Sequence, residues 1–271
     1  MTEFNTRPLT QFAATMAKLM DVEIPHEADE NYVQEVIDAV KEKTGKETVD
    51  KMLIYNPDAI GQWFFEKYNH FFEPLKPYLD IRVDYLTAFP PKTPVCFGTM
   101  FTGATPEVHG IQAYVKPVIQ IDTLFDSLRR SGKKVAMVAV QGQSIPKIYA
   151  NRDIDYYLLK YDKPVIEKAL ELIENSDYDV IEVYNQQYDD IMHMTHPKSI
   201  FAKHAAKNYV KYFVMLAEAV KKHWSNYNTF MTFAPDHGTH REWYGLGQHG
   251  KYITKDMNLT HLYGVNVKSE Q

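Results

Sequence analysis

A chain of 271 residues with 45% hydrophobic side chains is long enough for one sizeable core, and 30 basic against 35 acidic residues leave a net charge of −5. That charge offers no electrostatic footprint for nucleic acid, so no nucleic-acid polymer is expected as a partner. One cysteine excludes an internal disulfide, no apolar run is long enough to span a membrane, and the start MTEFNTRPLTQF does not read as a signal peptide. The expectation is a cytoplasmic protein with no membrane partner.

In chain order, helical and strand periods alternate. Residues 8–20 and 29–44 read as helices, the second ended by KTGKE. KMLIYN (51–56) is a short apolar strand, and an aromatic, helix-like segment runs from Ala59 to Phe72. IRVDYLT (81–87) reads as a strand and leads into PKTPVCFGTMFTGATPEVHGI (91–111). A helix over 121–130 ends at Ser131-Gly132, and KVAMVAV (134–140) is a near-continuous buried strand. A helix over 163–175 precedes the strand DVIEVYN (179–185). A long helix over 197–223 precedes TFMTFAP (229–235), and HLYGVNV follows as a last strand. This alternation predicts an α/β fold, a mostly parallel central sheet with helices on both faces. It is expected to form one domain over 1–271, with residues 1–50 a helical N-terminal extension and 51–271 the catalytic core.

Sheets of this kind bind ligands outside the carboxyl ends of their strands. Asp58 follows the first strand and Thr93 the second. Asp189, Asp190, His193 and His196 follow DVIEVYN. Asp236, His237 and His240 follow TFMTFAP, with His249 a little further on in GLGQHG. Taken alone, Asp58 would be a turn residue, and Asp189 with His193 an exposed pair on one helical face. Four strands bringing carboxylate, hydroxyl or imidazole to one edge need a common cause. Three aspartates and three histidines suit hard or borderline divalent cations, and two ions could share them. His196 and His240 are expected outside the ligand set. Pro94 suits a first helical position, which would make Thr93 the N-cap. Cys96 reads as a small buried hydrophobe on that helix. GLGQHG matches G-x-G-x-x-G only formally, because no apolar strand leads into it and no convincing helix follows.

The segment KTPVCFGTMFTGATPEVHGI resembles the nucleophile segment of the alkaline phosphatase superfamily. The likeness is greatest to its nucleotide pyrophosphatase/phosphodiesterase branch, where a threonine precedes a T-G-x-x-P-E-x-H-G-I tail. NPDAIG, YDDIMHMTHP, PDHG and GQHG extend the likeness in the same order, from about residue 51 onward. One departure is Ala59, where the branch usually has glycine. Another is length, since many relatives carry long insertions around the substrate pocket. The resemblance implies one metal held by Asp58, Asp236, His237 and the Thr93 oxygen, and a second held by Asp189, His193 and His249. The ions would be two divalent metals, zinc first and manganese as the alternative. The activity implied is a two-metal phosphodiesterase or nucleotide pyrophosphatase acting on a small-molecule phosphoester through a phosphothreonine at Thr93. A phosphonate hydrolase or a phosphomonoesterase of the same superfamily, or a non-catalytic metal-binding protein, are the alternatives. A sulfatase is not expected, because Cys96 is not followed by the C-x-P-x-R pattern.

Overall fold

The computed structural model describes residues 3–269. The strands are β1 (Lys51–Pro57), β2 (Ile81–Leu86), β3 (Val135–Val140), β4 (Asp155–Leu159), β5 (Val180–Asn185), β6 (Thr229–Phe233), β7 (His240–Arg241), β8 (Gly247–Gln248) and β9 (Asn258–Asn266). Seven of them make one sheet in the order β2-β9-β6-β1-β5-β3-β4, while β7 and β8 pair as a separate hairpin. The run β6-β1-β5-β3-β4 is parallel, and β9 lies antiparallel between β6 and β2. The sheet is therefore mostly parallel, as the alternation of elements predicts.

Every residue of β1, β3 and β5 is buried, which is why these strands read as continuous apolar runs rather than alternating ones. Met52 and Ile54 point into one helical layer, Leu53 and Tyr55 into the other. The first layer includes Gln11–Leu19, Gln34–Thr44, Thr93–Thr102 and Leu124–Arg130. The second includes Asp162–Asn175 and Ile200–His223. Within the first layer, Phe12 meets Phe101 edge to face at 5.8 Å, so the N-terminal helix packs directly on the helix that begins at Thr93. Among the described residues, no helix is long and apolar enough to cross a membrane.

Two differences from the sequence reading have simple causes. β4, DYYLL, is a sheet edge with no fully buried residue, so its pattern lacks the apolar run of its neighbours. The aromatic segment after Ala59 is not one helix but Gln62–Lys67, Asn69–Phe72 and a 3₁₀ turn Glu73–Leu75, a turn that carries Pro74.

One residue of the core is out of character. Glu182 on β5 is completely buried, between Ile54 and Met137 on the flanking strands, and neither carboxyl oxygen has a hydrogen-bond partner. Burial alone pushes its pKa well above the ordinary 4.5, so the folded chain holds it as a neutral acid. The unfolded chain ionises Glu182 above pH 4.5, so its burial costs stability that grows as pH rises. Glu182→Met should therefore stabilise the fold at neutral pH by about 1–3 kcal/mol. Denaturant melts across pH should show the gain shrinking toward acid. A loss of stability at every pH would mean the carboxyl has a partner worth keeping.

Candidate metal centre

The centre is assembled where β1, β5 and β6 end. Asp58 follows β1, and its two oxygens have different fates. Tyr184, near the end of β5, donates its phenol to Oδ2 at 2.5 Å, whereas Oδ1 is buried with no partner. The next residue, Ala59, has φ +70, a left-handed conformation that glycine adopts without cost. This accounts for the glycine usual at that place in the resembling branch. The turn aims the Ala59 N–H at Asp236 Oδ1, 3.1 Å away, and leaves Asp236 Oδ2 buried without a partner.

Asp236 and His237 follow β6, and the glycine after them is required by packing. A Cβ at Gly238 would lie 1.9 Å from the Lys255 carbonyl oxygen and 3.0 Å from Gly61 Cα. Asp189 and His193 occupy one face of the helix Gln187–Met194, with Nε2 of His193 3.4 Å from Asp189 Oδ2. That helix is held at its start by Asp162, from the beginning of another helix. Its carboxylate accepts the N–H groups of Gln186 at 3.1 Å and Gln187 at 3.0 Å. Burial pushes the Asp162 pKa up to about 6, against the pull of these two bonds.

The three imidazoles share one arrangement. Nδ1 donates to a backbone carbonyl in each case: His193 to Gly247 at 3.2 Å, His237 to Gly238 at 3.1 Å and His249 to Pro91 at 2.7 Å. Such bonds set the tautomer, leaving a lone pair on Nε2. Nε2 of His237 faces Asp58 Oδ1 at 3.5 Å and Asp236 Oδ2 at 3.4 Å, and accepts the Thr93 hydroxyl at 3.2 Å. Nε2 of His249 faces Asp189 Oδ1 at 3.6 Å, another buried oxygen without a hydrogen-bond partner. The rings of His237 and His249 stack with centroids 3.9 Å apart.

Lone pairs and carboxylate oxygens thus converge with too few donors between them. Protons settle only part of the centre: against burial, the His193 bond and the neighbouring imidazoles pull the Asp189 pKa down to about 2, and against burial the bond to Asp189 raises that of His193. Burial, then the charges of Asp236 and Asp189, pushes Asp58 well above the carboxylate range. Burial also raises Asp236, and it drives His249 well below the usual imidazole value. Divalent cations fit this donor set, with N and O ligands of the kind zinc takes. One atom each from Asp189, His193 and His249 lie within 4.8 Å of one another, and the same holds for Asp58, Asp189 and His237. Asp189 belongs to both groups, a sharing that the ligand division implied by the resemblance does not include.

All seven residues expected at the centre, Asp58, Thr93, Asp189, His193, Asp236, His237 and His249, are brought together. Asp190 and His196 are not: one accepts from Gln186, and the other accepts the Lys198 N–H at 3.2 Å. Thr93 is not the N-cap. Lys92 is the extended residue before the helix, and Thr93 and Pro94 are its first two members. Cys96 is fully buried in the core, and burial pushes its thiol pKa far up, so it carries no reactive thiolate. Tyr184 and Asp162, which orient the centre, carry no sequence signal of that role.

No family model matches the chain, and no curated protein matches it. Its fold does match solved structures. Murine ectonucleotide pyrophosphatase/phosphodiesterase 5 superposes with a TM-score of 0.55 at 20% identity, over 70% of this chain and 58% of that one. The murine protein is also known as an inactive threonine-to-alanine variant in complex with AMP. Phosphonoacetate hydrolase from Sinorhizobium meliloti, in complex with phosphonoformate, gives 0.53 at 13% identity, over 70% and 56%. The C-terminal periplasmic domain of EptC from Escherichia coli, in complex with Zn, gives 0.53 at 11% identity, over 79% and 72%. The chain thus covers less than two thirds of the murine and Sinorhizobium proteins. These neighbours are members of the alkaline phosphatase superfamily, and the chain has the alkaline phosphatase-like fold.

His240 closes the loop that carries His237 and His249. Its Nδ1 donates to Asp256 at 2.8 Å and its Nε2 to Glu242 at 3.1 Å, so the ring is an imidazolium. Asp256 also accepts the Lys251 N–H at 2.9 Å, and its backbone carbonyl accepts the Gly238 N–H at 2.8 Å. The Asp256 bond is the main influence raising the His240 pKa, with burial opposing it. A raised imidazole stabilises the fold fully below its ordinary value of 6.5 and loses that contribution as pH rises through the raised value. His240→Gln should cost about 1–3 kcal/mol in mildly acid buffer. In paired thermal melts, the gap to the unaltered protein should narrow as pH increases. A gap independent of pH would mean the ring is neutral.

Proposed function

We propose that the protein is a metal-dependent phosphoric ester hydrolase, a phosphodiesterase of the nucleotide pyrophosphatase kind, with Thr93 as nucleophile. The observation that carries this reading is the Thr93 hydroxyl. It is 4% exposed and sits 3.2 Å from His237 Nε2, among partnerless carboxylate oxygens. Asp58, Asp236 and His237 would hold one divalent ion and Asp189, His193 and His249 the other, with Asp189 facing both. When bound, two such ions, zinc first and manganese second, supply Lewis-acid polarisation and neutralise charge at phosphorus.

The chain does the rest. The first turn of the ten-residue Thr93–Thr102 helix favours negative charge on the Thr93 oxygen. That oxygen gives up its proton to water and attacks phosphorus in line, and the leaving oxygen takes a proton from water as it departs. The bond to the leaving oxygen breaks, and the phosphoryl group is left on Thr93. Water then cleaves the phosphothreonine, freeing the hydroxyl and releasing phosphate or a phosphomonoester. Tyr184 and the Ala59 N–H keep the spare carboxylate oxygens turned inward, and Phe12 supports the helix from behind. The inactive threonine variant of the murine neighbour, holding AMP, supports the same role for a threonine in this fold. A second reading, hydrolysis of a phosphonate, draws support from the similar fit of phosphonoacetate hydrolase.

Elemental analysis after reloading with zinc should give two ions per chain. His193→Ala should lower occupancy by about one ion, whereas Asp189→Ala, placed between both groups, should impair both. Thr93→Ala should lower turnover of a nitrophenyl phosphodiester by about a thousandfold or more, and Thr93→Ser should stay within roughly tenfold of the original. Cys96→Ala should keep activity and lose about 1 kcal/mol of stability. Acid quenching during turnover should trap a phosphoryl group on the peptide containing Thr93. An active Thr93→Ala variant would end the proposal, and phosphonoacetate outrunning every ester would favour the second reading.

A further inference from the structure

The described surface carries apolar side chains where water should meet charge. Met194 and Ile200 are each 71% exposed, Phe201 62%, and Trp243 92%, with Tyr244 beside it at a ring separation of 5.6 Å. A tryptophan so nearly free of contacts is rare on a surface with no partner. These residues are neighbours through Thr195. Its carbonyl accepts the Gly247 N–H of the β7-β8 hairpin at 3.1 Å, and its hydroxyl bonds the Ser199 hydroxyl at 2.9 Å, just before Ile200. The base of the hairpin that carries Trp243 and Tyr244, the end of the His193 helix with Met194, and the start of Ile200–His223 are therefore joined at Thr195.

Cations surround this apolar ground. Lys198 lies over the Trp63 ring at 5.7 Å, and Trp63 in turn donates to the Thr239 carbonyl just before the hairpin. The charges that act on Lys198 are those of Lys67, Lys255 and Arg241. Those acting on His196 are Arg241, Lys198 and Lys203. Lys67, Lys198, Arg241 and Lys255 are exposed on a chain of net charge −5, and the one carboxylate of the hairpin, Glu242, is taken up by His240 at 3.1 Å and by Lys251.

We propose that this surface docks on an anionic lipid bilayer, with Trp243, Tyr244, Phe201 and Ile200 entering the headgroup boundary and the lysines and Arg241 pairing with lipid phosphates. Protruding single side chains ringed by cations match that boundary, where tryptophan and tyrosine settle and basic residues add attraction. A second copy of the chain would bury the apolar side chains but would not supply the anions that a bilayer offers to the surrounding cations. Expectations based on spans alone miss this kind of contact, which lies on the membrane instead of crossing it. The docking stands apart from the proposed hydrolysis. It would turn the face beside His193 toward the lipid, since His193 bonds the hairpin through Gly247.

The test is sedimentation of the whole metal-loaded protein with vesicles of phosphatidylcholine alone, or of phosphatidylcholine mixed with phosphatidylserine. Binding to the mixed vesicles and release by salt are expected, with little binding to the neutral ones. A Trp243→Ala, Phe201→Ser double variant should lower the partition coefficient roughly tenfold. Lys198→Gln should lower it about fivefold, one positive charge having been removed. Both variants should keep the original melting temperature and metal content. No preference for the mixed vesicles, or unaltered partition in both variants, overturns the proposal. So does a dimer in sedimentation velocity that Trp243→Ala dissolves, which would make the surface a contact between copies.

Discussion

Three carboxylates that cannot all be charged together govern this structure. Asp58, Asp189 and Asp236 each bring an oxygen without a hydrogen-bond partner to one buried point, and the neighbouring imidazoles turn Nε2 toward these carboxylates. In a medium of low polarity this arrangement repels itself unless a cation sits within it. Much of the surrounding architecture keeps the groups from relaxing apart. Tyr184 and the Ala59 N–H each bind one carboxylate oxygen and commit the other to the centre. Three backbone carbonyls hold the imidazoles from behind, so that no ring can turn away without losing a bond.

The sheet makes such crowding feasible. Parallel strands buried on both faces cannot shift register without moving whole helical layers, so their carboxyl ends are fixed points. Asp58, Asp236 and the Asp189 helix are set at those points. The loop carrying His237 and His249 is longer, and it is closed by a different device, the charged contact of His240 with Asp256 and Glu242. Rigidity comes from packing on one side of the centre and from electrostatics on the other. The second kind is the one that pH can loosen.

How much of this was legible in the chain followed from what each residue has to satisfy. KVAMVAV and DVIEVYN show themselves as strands because both faces are covered, while the tyrosines of β4 serve an edge and carry no such signature. The residues of the candidate centre could be picked out because they cluster after strand ends in residue types that structure alone rarely requires together. Ala59 was visible only as an oddity, and its left-handed backbone gives the reason. Tyr184 was hidden, since nothing in a strand sequence separates a tyrosine that packs from one that donates to a carboxylate. Asp162 acts on a helix that is distant in sequence, through its backbone. The exposure of Trp243 depends on what its neighbours leave uncovered, which no linear pattern records.

The place of β9 bears on how the molecule comes to exist. β2 pairs within the sheet only through β9, and β9 follows every other strand among the described residues. β1, β3, β4 and β5 can associate as they emerge from the ribosome, but β2, bonded until then only at Leu86 to Arg7 and Leu9, waits for its sheet partner until β9 has been made. Contacts so distant in sequence close slowly, and an unpaired strand is exposed meanwhile to the wrong neighbours. During that interval, the edge of β2 that β9 later covers is open to a chaperone.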